Sequence, residues 1–233
     1  MNKVKLCVLS LVFLAIDASA NVIINGTRVI YNEGNKGVTV QLINNGDSPS
    51  LVQSWLDAGD ESSTPETADV PFVLSPPVAK VPSRSGQQLR IRKLSTPLAT
   101  DRESLFYLDV LDIPAVDVEK KGKNLLQMAL RSRIKLFYRP ASLSTSPTGT
   151  AYQKIRYQQN GNQLTLINNS PYYFTIASIS LVNRKGPSMI EPTMVPPFGL
   201  VSVPIVRNID KTTLQVTYVD DFGAFISRPI TLS

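Results

Sequence analysis

The sequence contains no histidine, and its single cysteine is Cys7. Without histidine, Ser-His and Cys-His nucleophile pairs, HExxH metal sites and most zinc centres are excluded, because the usual general base and the usual nitrogen ligand are both missing. Paired carboxylates remain in principle for acid–base work, but the Asp and Glu residues stand singly or in turn-like stretches. The reading is therefore no enzyme, no metal and no cofactor. Long apolar runs are also scarce. The run from Leu6 to Ile16 is too short for a bilayer-spanning helix, which needs about 20 residues, and no later run reaches that length, so no stable membrane insertion is expected.

Lys3 and Lys5 precede that run and Ala18-Ser19-Ala20 follows it, so residues 1–20 read as a secretory signal peptide cleaved before Asn21. Cleavage would remove Cys7, leaving an exported chain that must be stabilised by its core without disulfides. The leader carries two lysines and one aspartate, so the formal +6 charge becomes about +5, a moderate excess that argues for solubility rather than nucleic-acid binding.

What the sequence does contain is alternation. From Leu126 the even positions run Leu126, Met128, Leu130, Ser132, Ile134, Leu136, and the odd positions run Gln127, Ala129, Arg131, Arg133, Lys135, Phe137. Period two over this length predicts a strand, and a long one. Its apolar stripe has two readings: the core face of a central sandwich strand, or an exposed edge meant for another protein's core by β-strand addition.

The rest of the chain also reads as short strands between Gly, Pro and Asn turns. Val22–Tyr31 predicts a strand interrupted by a bulge or tight turn at Asn25-Gly26. Further strands are predicted at Val38–Asn44, Ser50–Ala58, Phe72–Leu74, Gln88–Leu94 and Ser104–Asp112, with Gly59–Val70 a loop and Trp55 a core anchor. That makes about seven strands before a linker rich in proline and small polar residues, Pro140–Gly149. Beyond it, strands are predicted at Ile155–Asn160, Gln163–Asn168, Phe174–Asn183, Met189–Met194, Gly199–Pro204, Thr213–Val219 and Ala224–Thr231. The expected architecture is all-β, two immunoglobulin-like sandwiches in tandem, with domains at residues 21–139 and 140–233.

Asp101-Arg102-Glu103-Ser104-Leu105-Phe106-Tyr107 with Ile113-Pro114-Ala115, the Leu126–Pro140 run ending Lys-Leu-Phe-Tyr-Arg-Pro, Asn168-Asn169-Ser170-Pro171-Tyr172-Tyr173, and Tyr218-Val219-Asp220-Asp221-Phe222-Gly223 occur in this order. Together they resemble the PapD-type periplasmic pilus chaperones over the whole mature chain. The resemblance implies an L- or boomerang-shaped pair of domains in the periplasm. It also implies that pilus subunits, which lack one strand of their sandwich, borrow an edge strand around residues 124–137 before delivery to an outer-membrane usher. Leu126, Met128 and Leu130 match the donor positions. Arg28 and Lys135 match the two cations that hold the subunit's C-terminal carboxylate between the domains. Glu103, Arg139 and Asp221 match a charged trio that links the domains, and Tyr172 and Tyr173 read as core and cleft packing. Lys135 has the opposite parity to the donor stripe, so a bulge, a strong twist or an approach from the other face must reconcile the two. Asp109 stands where the family commonly has Asn, and the short loop Ala115–Lys123 resembles the short-loop chaperones that serve rod-like pili.

An exposed apolar edge would also let the free protein cap itself as a homodimer. The alternative is an exported two-domain adhesion or binding module, which explains the sandwiches but not the paired cations. A pilus subunit fits less well, since such subunits usually carry a cysteine pair and an N-terminal donor extension.

Overall fold

The computed structural model describes residues 22–115, 127–143, 151–182, 187–205 and 214–232. The signal peptide, Leu126 and most of the expected loop and linker lie outside these residues. Among the described residues the first domain has the strands β1 (Val22–Ile24), β2 (Arg28–Asn32), β3 (Val38–Asn44), β4 (Ser50–Asp57), β5 (Phe72–Ser75), β6 (Val78–Val81), β7 (Gly86–Lys93), β8 (Ser104–Pro114) and β9 (Leu130–Arg139). They form a four-stranded sheet, β1-β3-β7-β5, facing a five-stranded sheet, β2-β9-β8-β4-β6.

Two of these strands differ from the sequence expectation because the chain changes sheets. At Asn25-Gly26 the expected single strand divides: β1 pairs antiparallel with β3, whereas β2 pairs parallel with β9 in the opposite sheet. Gly26 takes a positive φ of 131°, which a residue with a Cβ rarely adopts. At Ser75-Pro76-Pro77 the chain crosses in the same way, from β5 against β7 to β6 against β4. The prolines end one edge strand, and β6, hidden behind them in the sequence, begins the next.

The second domain has β10 (Ile155–Asn160), β11 (Gln163–Asn168), β12 (Phe174–Leu181), β13 (Thr193–Val195), β14 (Leu200–Pro204), β15 (Leu214–Val219) and β16 (Phe225–Ile230). Its sheets are β10-β11-β14 and β13-β12-β15-β16. Met189–Met194 is not one strand: Met189 and Ile190 are buried in the core, and pairing begins at Thr193 opposite Ile176. Each domain closes its core with a buried asparagine at the end of a strand. Asn44 donates to the carbonyls of Ser48, Val81 and Pro82, and Asn168 to those of Tyr172, Val195 and Pro196.

Each domain has its own apolar core. In the first, Leu108 on β8 and Leu136 on β9 are fully buried beside the ring contacts Tyr31–Phe72 and Phe72–Phe106. Trp55 is buried but lies outside this core, on the other face of β4 from Val52 and Leu56, where the Arg131 guanidinium sits 4.9 Å over its ring. Alanine substitution separates a core position on β8 from an exposed position just before β9. Leu108→Ala should destabilise the protein by about 2–5 kcal/mol, whereas Met128→Ala should leave urea unfolding within about 0.5 kcal/mol of the parent. A comparable loss in both variants would show that Met128 serves the protein's own core.

Candidate functional site

The unbroken ladder of β9 organises the candidate site. β9 pairs with β8 from Asp112↔Leu130 to Ser104↔Tyr138 without a register shift. Leu136 and Tyr138 therefore face the core, and Arg131, Arg133, Lys135, Phe137 and Arg139 face away from it. No bulge intervenes between Leu130 and Tyr138, so Lys135 lies on the face of β9 opposite the even stripe.

Arg28 opens β2 and pairs in parallel register with Lys135, which puts two cations side by side on that outer face. Arg28 Nη1 donates to the Val219 carbonyl of the second domain at 3.2 Å, and its guanidinium lies 5.8 Å from the Phe137 ring. Burial lowers the Arg28 pKa, an effect partly offset by Asp221 and Asp220. Burial, then Arg28, then Arg133 push the Lys135 ammonium below the ordinary lysine value, and among the described residues no carboxylate offsets them. An anion placed beside this half-buried pair would favour the charged form of both groups.

The sequence predicted a strand from Leu126 onward, but Gln127–Ala129 is not strand and β9 begins at Leu130. Pairing with β8 ends at Asp112↔Leu130, although β8 itself runs on to Pro114, a residue that cannot donate to a ladder. Among the described residues, a side-chain bond from Gln127 Nε2 to the Pro114 carbonyl, 2.7 Å, reaches back across. On the other edge, β2 covers β9 only from Lys135 to Arg139. Among the described residues, the Leu130–Ile134 edge therefore has no second partner. Met128 is 67% exposed and Leu130 47%, although both continue the even stripe that is buried at Leu136. Leu126 lies outside the described residues.

The expected trio comes together. Arg139 is 2% exposed; its Nε and Nη2 donate to Glu103 Oε1 at 2.9 and 2.7 Å, and its Nη1 and Nη2 to the Asp221 carboxylate at 2.8 and 3.1 Å. Glu103 Oε2 accepts the Tyr173 backbone N–H at 2.8 Å, and the Glu103 N–H donates to the Pro171 carbonyl at 2.9 Å. The Asn168–Tyr173 segment therefore docks on the first domain through backbone groups, for which side-chain identity gave no signal. Burial pushes the Glu103 pKa up, with Arg139 opposing. Phe137 meets Tyr173 at 5.6 Å and Arg139 lies 5.2 Å over the Tyr172 ring, so both tyrosines line the cleft.

Residues 21–144 match the family model "Pili and flagellar-assembly chaperone, PapD N-terminal domain", and residues 150–229 match "Pili assembly chaperone PapD, C-terminal domain". The chain belongs to the PapD pilus-assembly chaperone family. The probable fimbrial chaperone YehC of Escherichia coli K12 is 42% identical over 217 residues, covering 93% of this chain and 89% of its own. The crystal structure of the Pseudomonas aeruginosa CupB2 chaperone superposes with a TM-score of 0.76 at 31% identity, covering 91% of this chain and all of that one. A chain in the structure of Salmonella enterica SafA pilin in complex with the SafB chaperone gives 0.75 at 26% identity, covering 91% and 96%. The family is one of chaperones, not of enzymes.

One cluster of this PapD-type chaperone was missed. The acidic residues look solitary in sequence, yet β4 and β8 bring Asp57 and Asp109 onto the outer face beside β9. Arg131 Nε donates to Asp109 at 2.7 Å, and Arg133 holds both oxygens of Asp57 at 2.6 and 3.1 Å while lying 3.8 Å over the Tyr107 ring. Burial and the neighbouring Asp57 carboxylate raise the Asp109 pKa to about 6.

Two outcomes follow from these charges. Arg139→Ala would leave Glu103 buried without its counter-charge, and urea unfolding should show a loss of about 3–5 kcal/mol; a loss below about 1 kcal/mol would mean the trio behaves as a surface pair. For Asp109, a folded pKa above the unfolded one means the native state binds the extra proton between about pH 4 and 6, so its contribution to stability falls as pH rises through that window. Relative to the parent, Asp109→Asn should gain on the order of 2 kcal/mol between pH 4 and pH 7. A constant difference across that range would contradict the shift.

Proposed function

We propose that this chaperone works in the periplasm by donor-strand complementation. The Met128–Leu130 segment, with Leu126 before it, lends alternate side chains to the open groove of a pilus subunit. Arg28 and Lys135 hold the subunit's terminal carboxylate. The observation that carries this reading is the open edge of β9, five residues long from Leu130 to Ile134, which leads directly from an exposed apolar stripe to an adjacent pair of cations. A partner strand can pair along that edge, and fully burying each large donor side chain would contribute about 1.5–3 kcal/mol. A carboxylate leaving water needs charge-assisted hydrogen bonds, which the cation pair offers. Fixing that terminus also fixes register, where a slip of one residue would turn every side chain to the wrong face. Glu103, Arg139 and Asp221 set the angle between the domains and so the position of Arg28 against Val219. Family membership and the SafA–SafB complex support pilus subunits as the partners, and membership also supports delivery of the capped subunit to an outer-membrane usher. In the absence of a subunit, the same open edge favours self-capping between two copies.

Co-expression with the neighbouring pilus subunits tests the reading. Soluble periplasmic subunit should be recovered with the intact protein and lost with Arg28→Ala and Lys135→Ala, while both variants remain folded. Equal recovery with the variants would remove the cation pair from the site.

A further inference from the structure

The turn between β15 and β16, with the first residue of β16, carries two exposed phenylalanines and touches the first domain next to Arg28. It is held tightly: the Asp220 N–H donates to the Ala224 carbonyl at 3.0 Å, and Asp220 Oδ1 accepts the N–H groups of Phe222 and Ala224 at 3.0 and 2.8 Å. Gly223 has a positive φ of 84°, and a Cβ there would collide with Thr27 Oγ1, so the turn abuts the residue next to Arg28. Val219, just before the turn, accepts the Arg28 hydrogen bond, and Asp221 turns inward to Arg139.

Phe222 is left 92% exposed, and Phe225, paired across the ladder with Val219, is 70% exposed. Single exposed apolar residues are ordinary on protein surfaces. Here the two stand three residues apart, at and just after a turn fixed to the first domain beside Arg28, which holds their backbone in a set position.

We propose that Phe222 and Phe225 form a ledge on the second domain that receives the last side chains of the pilus subunit whose terminal carboxylate goes to Arg28 and Lys135. The inference rests on that carboxylate reading. Its occupant follows from continuity: a strand rises only about 3.3 Å per residue, so a carboxylate at Arg28 brings the residues just before it alongside the turn that binds Arg28. Aromatic rings supply large contact area with little rotamer freedom to lose, which suits a ledge that must accept side chains of different shape.

The test titrates the full chain with a synthetic peptide of a co-encoded subunit's C-terminal strand, as free acid and as amide. Binding is followed by fluorescence anisotropy for the parent, Phe222→Ser/Phe225→Ser and Arg28→Ala. The double variant should keep the parent's thermal midpoint, because both sites are exposed, and should bind the free acid roughly tenfold more weakly. Unchanged affinity in the double variant overturns the ledge, even where Arg28→Ala abolishes binding and the anchor stands. Equal binding of acid and amide, unaffected by Arg28→Ala, overturns the anchor instead; the ledge then stands if the double variant still binds more weakly and falls if it does not. No binding of the free acid by the parent overturns both.

Discussion

Successive side chains of an extended strand point to opposite faces, and β9 uses that constraint to serve two surfaces at once. Its even positions run from the buried Leu136 and Tyr138 out to the exposed Leu130 and Met128, so one stripe begins as core and ends as free apolar surface. Its odd positions carry charge. Because the ladder with β8 has no bulge, the two roles stay on separate faces for the length of the strand. The exposed apolar stripe and the cation pair therefore lie on opposite sides, and on the proposed reading donation and anchoring do not compete for one surface.

The charges on the odd face are not equivalent. Arg131 is neutralised by Asp109, Arg133 by Asp57, and Arg139 by Glu103 and Asp221. Among the described residues, Lys135 alone of the four basic residues on that face has no carboxylate partner. Buried cations without counter-charges are unfavourable, so three are matched inside the protein. The fourth sits where the second domain stands close by through Arg28 and Val219. Electrostatics thus mark one position on the strand as incomplete. The incomplete position coincides with the end of the open edge.

Much of this was legible from the chain itself. Alternation gave the sandwiches and the long strand, since period two is a local property, and the resemblance to the PapD-type chaperones singled out Arg28, Glu103, Arg139 and Asp221, which line one interdomain cleft, and Lys135 beside Arg28. What escaped was non-local. The change of sheet at Asn25-Gly26 depends on which strand lies opposite, not on the residues at the crossing. β6 was hidden because prolines stop one strand without announcing the next. Asp57 and Asp109 lie far apart in sequence, and only the β4–β8 register brings them together. Trp55 was expected in the core because large aromatics usually bury there; it is buried instead under Arg131, on the face that odd-position charge had already claimed.

The start of β9 shows why strand pattern and strand formation are separate matters. Gln127, Met128 and Ala129 keep the alternation, yet they form no ladder, because a strand exists only where a neighbour accepts its backbone hydrogen bonds. β8 ends at Pro114, and a proline cannot donate to a ladder. The pattern therefore outruns the protein's own supply of neighbours. A sequence that keeps a strand-forming alternation past the last available partner, with its apolar residues exposed, stores pairing capacity that another chain can use. On the proposed reading, the segment becomes a strand when a subunit arrives, and the terminal carboxylate at Arg28 and Lys135 decides in which register it does so.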